Sequence, residues 1–256
     1  MTLRYTILGC GTSTGVPRIG NEWGDCDPEN PRNRRSRSSI IVQSKTTRIL
    51  VDTSPDMRNQ LLAVDISHVD AVLWTHDHAD HTHGMDDVRQ LFHVRRAPVP
   101  GYARPETLAL LQTRFAYAFY GRGGYPPIVS VSPIAAPFRV GDIDIAYVDQ
   151  PHGNIFSTGY RFTCDGKSVG YSVDCHDFTA KMIMLFKGVD VWIVDSLREA
   201  PHPTHSHLAQ TLAAIQRVKP GLAVLTHMDH SMDYARLCAI LPEGVTPAYD
   251  LMTGTV

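Results

Sequence analysis

His76-Asp77-His78-Ala79-Asp80-His81 is the stretch that decides the fold, because it packs four metal-type donors into six residues directly after the apolar run 71–74. Imidazole and carboxylate are the side chains that borderline divalent ions prefer. The apolar run reads as a strand, and a strand end opening into a loop is where sites are built. In extended backbone, side chains two apart project to the same side, so His76 and His78 converge on one ion. Asp80 and His81 lie beyond the bend and turn toward a second ion, on the order of 3.5–4 Å from the first in two-metal sites. For a lone histidine a solvated polar loop would be the better reading; for this cluster it is the poorer one.

Outward from this motif, apolar β-branched runs at 4–8, 39–42, 48–51, 143–148, 159–163, 168–173, 191–194 and 222–225 predict strands. Helical periodicity at 55–64, 85–92, 105–117, 179–186 and 208–218 predicts helices between them, a mixed α/β pattern. Ser54-Pro55-Asp56 reads as a helix opening, with Ser54 as the cap and Pro55 in the first helical position. There is no repeat, low-complexity tract or Pro/Ser linker, so residues 1–256 are expected to form one domain. The stretch 121–127, with Tyr120 and Tyr125 near its glycines and prolines, is the most irregular; a surface loop is favoured over a mobile lid.

At 256 residues, 43% hydrophobic and 20% charged, the chain has globular composition. A net charge of −2 gives no general attraction to nucleic acid or to anionic lipid, so any anion must be held locally. Five scattered cysteines, an odd number, point to reduced thiols and a cytoplasmic protein rather than to a disulfide framework. The first eight residues read as a strand and not as an export leader, and no apolar stretch approaches the roughly 20 residues that cross a bilayer, so no membrane partner is expected. Thirteen histidines in a near-neutral chain favour metal ligation or proton transfer.

His-x-His-x-Asp-His after an apolar strand resembles the signature of the metallo-β-lactamase superfamily. The resemblance implies a metallo-β-lactamase αβ/βα four-layer sandwich, an α/β fold of two mixed β-sheets flanked by helices, with two divalent metal ions (Zn2+ or Mn2+) at the sheet edges. It also implies the remaining ligands: His152 after the run 143–148, Asp174 closing Tyr171-Ser172-Val173-Asp174, and His227 closing Val224-Leu225-Thr226-His227. His76, His78 and His152 are then expected on one ion, and Asp80, His81 and His227 on the other, with Asp174 bridging.

Within the superfamily the chain is similar to the phosphodiesterases of the carbon-phosphorus lyase operon type and, more distantly, to the tRNA 3′-processing endonucleases. The further motifs are Gly9-Cys10-Gly11-Thr12-Ser13-Thr14-Gly15-Val16-Pro17, Arg34-Arg35-Ser36-Arg37-Ser38-Ser39 and His202-Pro203-Thr204-His205. His205 aligns with the subfamily's proton-donating histidine, with His207 two residues away as the alternative. Asp52 falls where a carboxylate orients a ligand imidazole, helix capping being its other reading. Relatives often carry an accessory zinc site of closely spaced cysteines; Asn21 and Trp23 stand at two of those positions, and Cys26 with His230 does not complete a four-ligand shell, so that site is expected to be absent.

These residues imply a hydrolase in which the cations activate water and clamp a phosphodiester, with Asp80 and His205 as the catalytic candidates. The small net positive charge left after Asp80, Asp174 and hydroxide are counted favours a monoanion, and so a small cyclic or nucleotide-type phosphodiester. An RNA-processing nuclease is not favoured, because no basic arm is visible. A thioesterase or lactonase keeps the metals and changes the bond, and a nucleotide-binding module without turnover would not need both carboxylates. A homodimer is expected from the resemblance alone. Arg32, Arg34, Arg35 and Arg37 read as a solvated face rather than a phosphate clamp. Tyr117, Tyr120 and Tyr125 read as packing residues rather than base-stacking ones. The turn 9–15 lacks the Gly-Lys-Ser/Thr of a nucleotide loop, leaving it as a tight turn near the metals with backbone N–H groups for an anion.

Overall fold

Strand alternation sends successive side chains of the apolar runs into two different cores. In the computed structural model, which describes residues 2–256, the first half runs β1 (Arg4–Gly9), β2 (Ser39–Gln43), β3 (Arg48–Val51), α1 (Met57–Ala63), β4 (Ala71–Leu73), α2 (Ala79–Thr82), α3 (Val88–Arg95), β5 (Val99–Ala103), α4 (Pro105–Arg114), α5 (Ala116–Tyr120) and β6 (Val129–Pro133). The second half runs β7 (Phe138–Val140), β8 (Ile143–His152), β9 (Ile155–Cys164), β10 (Lys167–Ser172), α6 (Ala180–Phe186), β11 (Val191–Asp195), α7 (Leu208–Val218), β12 (Leu222–Thr226), α8 (Tyr234–Ile240), β13 (Val245–Pro247) and β14 (Met252–Thr255).

Two seven-stranded sheets result, ordered β14-β1-β2-β3-β4-β5-β6 and β13-β12-β11-β10-β9-β8-β7. Each is mixed: β3 to β6 pair in parallel in the first, β10 to β13 in the second, and the other neighbours are antiparallel. Ile7, Ile40, Val42, Ile49, Val51 and Leu73 face the second sheet, in one core with Ile145, Tyr160, Phe162, Val169, Tyr171, Ile193 and Val224. Their neighbours Leu8, Ile41, Leu50, Val72 and Trp74 point the other way, onto Met57, Leu61, Val88, Leu91, Leu108 and Leu111. Burying each such side chain stabilises the fold by roughly 1.5–3 kcal/mol, and the outcome is the four-layer αβ/βα sandwich, helices outside and sheets within.

The nine runs expected as strands are strands, but β8 and β9 extend well beyond 143–148 and 159–163 into one long hairpin. Five strands escape the sequence reading. β5 carries Pro100 and Gly101 inside the sheet, where proline is rare, and β6, β7, β13 and β14 are short or mostly polar edge segments. The helix expected at 55–64 begins at Met57; its cap position is Asp56, with no side-chain cap bond. Ser54 Oγ instead bonds to Gln60 Oε1 (2.9 Å) and receives Asp56 N (3.2 Å).

Arg32 and Arg34 of the basic run are exposed, as expected of a solvated face, whereas Arg37 is half-buried and Arg35 is not part of that face. Arg35 is buried and donates to the carbonyl of Asp229 (3.0 Å), to Asn33 Oδ1 (3.3 Å) and to Cys26 Sγ (3.8 Å). Arg32 lies over the rings of Tyr234 and Tyr249, Arg34 over Trp23, and Arg37 pairs with Asp56 (3.0 Å). His230 Nε2 lies 3.5 Å from Glu22 Oε1.

Two hydrogen bonds fasten the first sheet to the second just ahead of the histidine motif. Tyr160 Oη donates to the Trp74 carbonyl (2.7 Å) and Thr158 N to the Thr75 carbonyl (2.8 Å). Tyr160→Phe leaves a buried carbonyl short of its partner, and is expected to lower the unfolding free energy by about 1–3 kcal/mol in urea denaturation. An unchanged midpoint would show that this cross-sheet bond contributes nothing.

Candidate metal centre

The candidate residues sit at the carboxyl ends of the strands, the edge at which open α/β sheets build their sites. After β4 the chain stays extended as far as His78 (φ −61°, ψ 153°), then turns into the single turn α2 that carries Asp80 and His81. Asp52, Asp174 and His227 follow β3, β10 and β12 and all take left-handed backbone, with φ of 65°, 55° and 59°. Few residues other than glycine tolerate that region, Asp and His among them. Three strands therefore end in the same tight turn with a polar side chain at its corner.

The expected ligands come together in two groups. His76, His78 and His152 bring one donor atom each within 4.8 Å of one another, and so do Asp80, His81, Asp174 and His227. Asp174 faces both groups: its Oδ2 lies 3.2 Å from His76 Nε2 and 2.7 Å from His81 Nε2, and its Oδ1 lies 3.2 Å from His227 Nε2. Asp80 Oδ2 is 3.3 Å from His81 Nε2 and 3.6 Å from His227 Nε2. His152 Nε2 is 3.2 Å from His78 Nδ1.

Further residues fix the imidazoles. Asp52 is fully buried and accepts from Thr75 N (2.8 Å), Thr75 Oγ1 (2.9 Å) and His81 Nδ1 (2.7 Å), which leaves His81 Nε2 for the centre. Asp52 thus orients a histidine and caps no helix. Thr75 Oγ1 also lies 2.9 Å from His76 Nδ1, and His152 Nδ1 donates to the Thr204 carbonyl (2.8 Å). Ser157 Oγ donates to the Asp174 carbonyl (2.7 Å) and holds that left-handed turn.

His205 reaches the centre and His207 does not. His205 Nδ1 lies 3.1 Å from Asp174 Oδ1 and 3.3 Å from Asp195 Oδ2, and its ring stacks on His227 with centroids 4.9 Å apart. His207 sits at the cap of α7, its strand-like backbone bridging to Arg198. Asp195, which ends β11 and also receives Cys175 N (3.0 Å), is the residue the sequence reading missed. Its only signal was an acid at a strand end, as at Asp52 and Asp174.

Burial works against every charge here, and the partners decide the outcome. Burial pushes the Asp52 carboxyl up against the pull of His81 and Thr75. It also opposes ionisation of Asp174 and Asp80, yet the surrounding histidines hold both well below the usual carboxylate range. His76 and His152 are lowered, chiefly by burial. His205 is raised to about 10, because its bonds to Asp174 and Asp195 outweigh its desolvation.

His76 Nε2 and His227 Nε2 are buried and lack a well-directed hydrogen bond, although each lies 3.2 Å from an oxygen of Asp174. An unsatisfied buried polar atom costs about 1–3 kcal/mol, and two converging on one point fit a cation as the missing partner. The histidine–aspartate donor set suits a divalent metal.

Above the two groups opens a cleft of about 320 Å³, walled by His78, Asp80, His152, His205 and His227, with Ser13 from the glycine-rich turn at its rim. The N–H groups of Gly11 and Thr12 are already bonded to the carbonyls of Ser36 and Met228, so little of that turn is left for an anion. Tyr120 and Tyr125 are exposed, and neither they nor Tyr117 line this cleft.

The chain matches the family model described as a beta-lactamase superfamily domain over residues 47–228. It is 32% identical over 255 residues to the octanoyltransferase of Porphyromonas gingivalis (strain ATCC BAA-308 / W83), covering 97% of this chain and 50% of that protein. The chain thus spans about half the length of the curated relative it matches. Among solved structures it superposes on a diphosphatase from the PhnP family with a TM-score of 0.92 and 33% identity, over 100% of this chain and 98% of that one. Zn2+-bound PqqB from Methylobacterium extorquens (TM-score 0.80, 19% identity, 98% and 99% covered) and the short form of human tRNase Z (0.72, 16%, 98% and 98%) share the fold. The chain belongs to the metallo-β-lactamase superfamily and resembles the PhnP family within it.

Proposed function

We propose that this protein is a two-metal phosphodiesterase acting on small cyclic or nucleotide-type phosphodiesters. One observation carries the reading: Asp174 faces imidazoles of both histidine groups, so a pair of cations and not a single one matches the donors. His76, His78 and His152 would hold one divalent ion and Asp80, His81 and His227 the other, with Asp174 between them; Zn2+ and Mn2+ both suit this set. Bound there, such ions supply Lewis acidity toward a phosphoryl group and lower the pKa of water toward neutrality.

The chain's own groups supply the rest. Asp80, at the cleft wall, accepts a hydrogen bond from the attacking water and so orients it. His205 commits Nδ1 to Asp174 and Asp195, which leaves its other ring nitrogen to deliver a proton to the departing oxygen. The cleft is compact and neither arginine nor lysine lines it; that favours a small monoanionic diester over a nucleic acid. The similar diphosphatase of the PhnP family also supports phosphoryl chemistry. Among the described residues no helix is long and apolar enough to cross a membrane, and five free cysteines fit the reducing cytoplasm where the reading places the protein.

The deciding experiment is a turnover panel of a cyclic nucleotide, a linear diester, a thioester and a lactone on metal-loaded protein. Diesters are expected to turn over fastest, and acyl substrates hydrolysed faster than every diester would overturn the reading. His205→Ala is expected to lower kcat on an alkyl ester by about 10²–10⁴-fold, and far less on a p-nitrophenyl ester whose leaving group needs no proton. Asp52→Asn, which loosens His81, is expected to weaken Zn2+ or Mn2+ binding by roughly 10–100-fold in chelator competition.

A further inference from the structure

Beside the metal cleft lies a second cavity of about 440 Å³, within the roughly 300–1,000 Å³ that small-molecule sites span. The two cavities share Ile155. At the tip of the β8–β9 hairpin, His152 pairs with Ile155 and Pro151 with Phe156. Alternation puts Ile155 on the side of His152 and turns Phe156 to the other face, into the second cavity. The Phe156 ring is 65% exposed, and Leu110 of α4, lining the same cavity, is 49% exposed. An aromatic ring left open on the wall of a cavity that continues an active-site cleft costs the fold apolar exposure and offers a stacking surface.

The polar lining selects what can lie there. Arg104 is neutralised by Asp149 (2.9 Å) and held over the Tyr147 ring, while Asp77 is neutralised by Arg114 (3.0 Å). Glu106, in the first turn of α4, has no ion-pair partner among the described residues. The cavity therefore carries a net negative charge, which repels a second phosphoryl group or a polynucleotide backbone and attracts N–H and O–H donors.

We infer that this groove binds the organic group of the diester, a nucleoside, with its base stacked on Phe156 and its donors toward Glu106, while the phosphate lies in the metal cleft. The inference rests on the phosphodiesterase reading and narrows it to esters of single nucleosides. Phe156 is a specificity residue and takes no part in bond cleavage.

Two measurements on metal-loaded protein test it. By calorimetry, adenosine 5′-monophosphate is expected to bind the wild type about fivefold or more tighter than ribose 5-phosphate, the low end of what one base gains on an aromatic side chain. Phe156→Ala is expected to bring the two within about twofold, and Phe156→Trp to preserve the preference. In kinetics, the ratio of kcat/KM for thymidine 5′-(p-nitrophenyl) phosphate to that for methyl p-nitrophenyl phosphate should fall by a similar factor in Phe156→Ala. Equal binding of the two phosphates by the wild type, or a preference that survives Phe156→Ala, overturns the groove. Absence of turnover with either diester overturns the reaction instead, and the calorimetric comparison still decides the groove.

Discussion

One buried carboxylate, that of Asp174, meets four imidazoles drawn from both halves of the chain: His76 and His81 from the first sheet, His205 and His227 from the second. A carboxylate that far from water is costly unless cationic partners surround it. Histidines alone supply part of that compensation and leave several ring nitrogens without a well-directed hydrogen bond. The arrangement is intelligible if the sheets are brought together to enclose positive charge at the edge where they meet.

Holding that edge requires backbone as well as side chains. Tyr160 and Thr158 reach from the second sheet to the carbonyls of Trp74 and Thr75, so the strand end that launches the histidine motif cannot drift from β9. Asp52, Asp174 and His227 each accept a left-handed turn that most residues avoid. Strain of this kind, of order 1–3 kcal/mol at each position, persists only where surrounding contacts over-determine the geometry. Here the contacts are Thr75 and His81 on Asp52, and Ser157 on the Asp174 carbonyl.

The histidine motif was legible because its donors are close in sequence and the strand before it is plainly apolar. His152, Asp174 and His227 were legible only through resemblance, since each is a single polar residue after an apolar run; the fold brings them within reach of the motif. Asp195 ends a strand in the same way, but nothing local distinguishes an acid that touches a distant histidine from one that meets solvent. β5 was hidden by Pro100 and Gly101, which local rules assign to turns although the parallel ladder accommodates them. Within the basic run only Arg35 escapes the sequence reading for the same reason: charge in sequence predicts solvent, while Arg35 is packed against oxygens that only tertiary structure supplies.

The placement of charge around the centre bears on what the protein can recognise. Arg35 is buried and Arg37 is paired with Asp56, while Arg32 and Arg34 lie over aromatic rings at the surface. The neighbouring cavity is acidic on balance. Positive potential from cations at the strand ends falls off within a Debye length, about 8 Å at physiological salt. A single phosphate with a neutral organic group satisfies that pattern; a chain of phosphates would meet attraction at one point and repulsion at the next. The same fold also occurs in the short form of human tRNase Z, and a shared sandwich does not set what is bound; the residues and charges around the strand ends do.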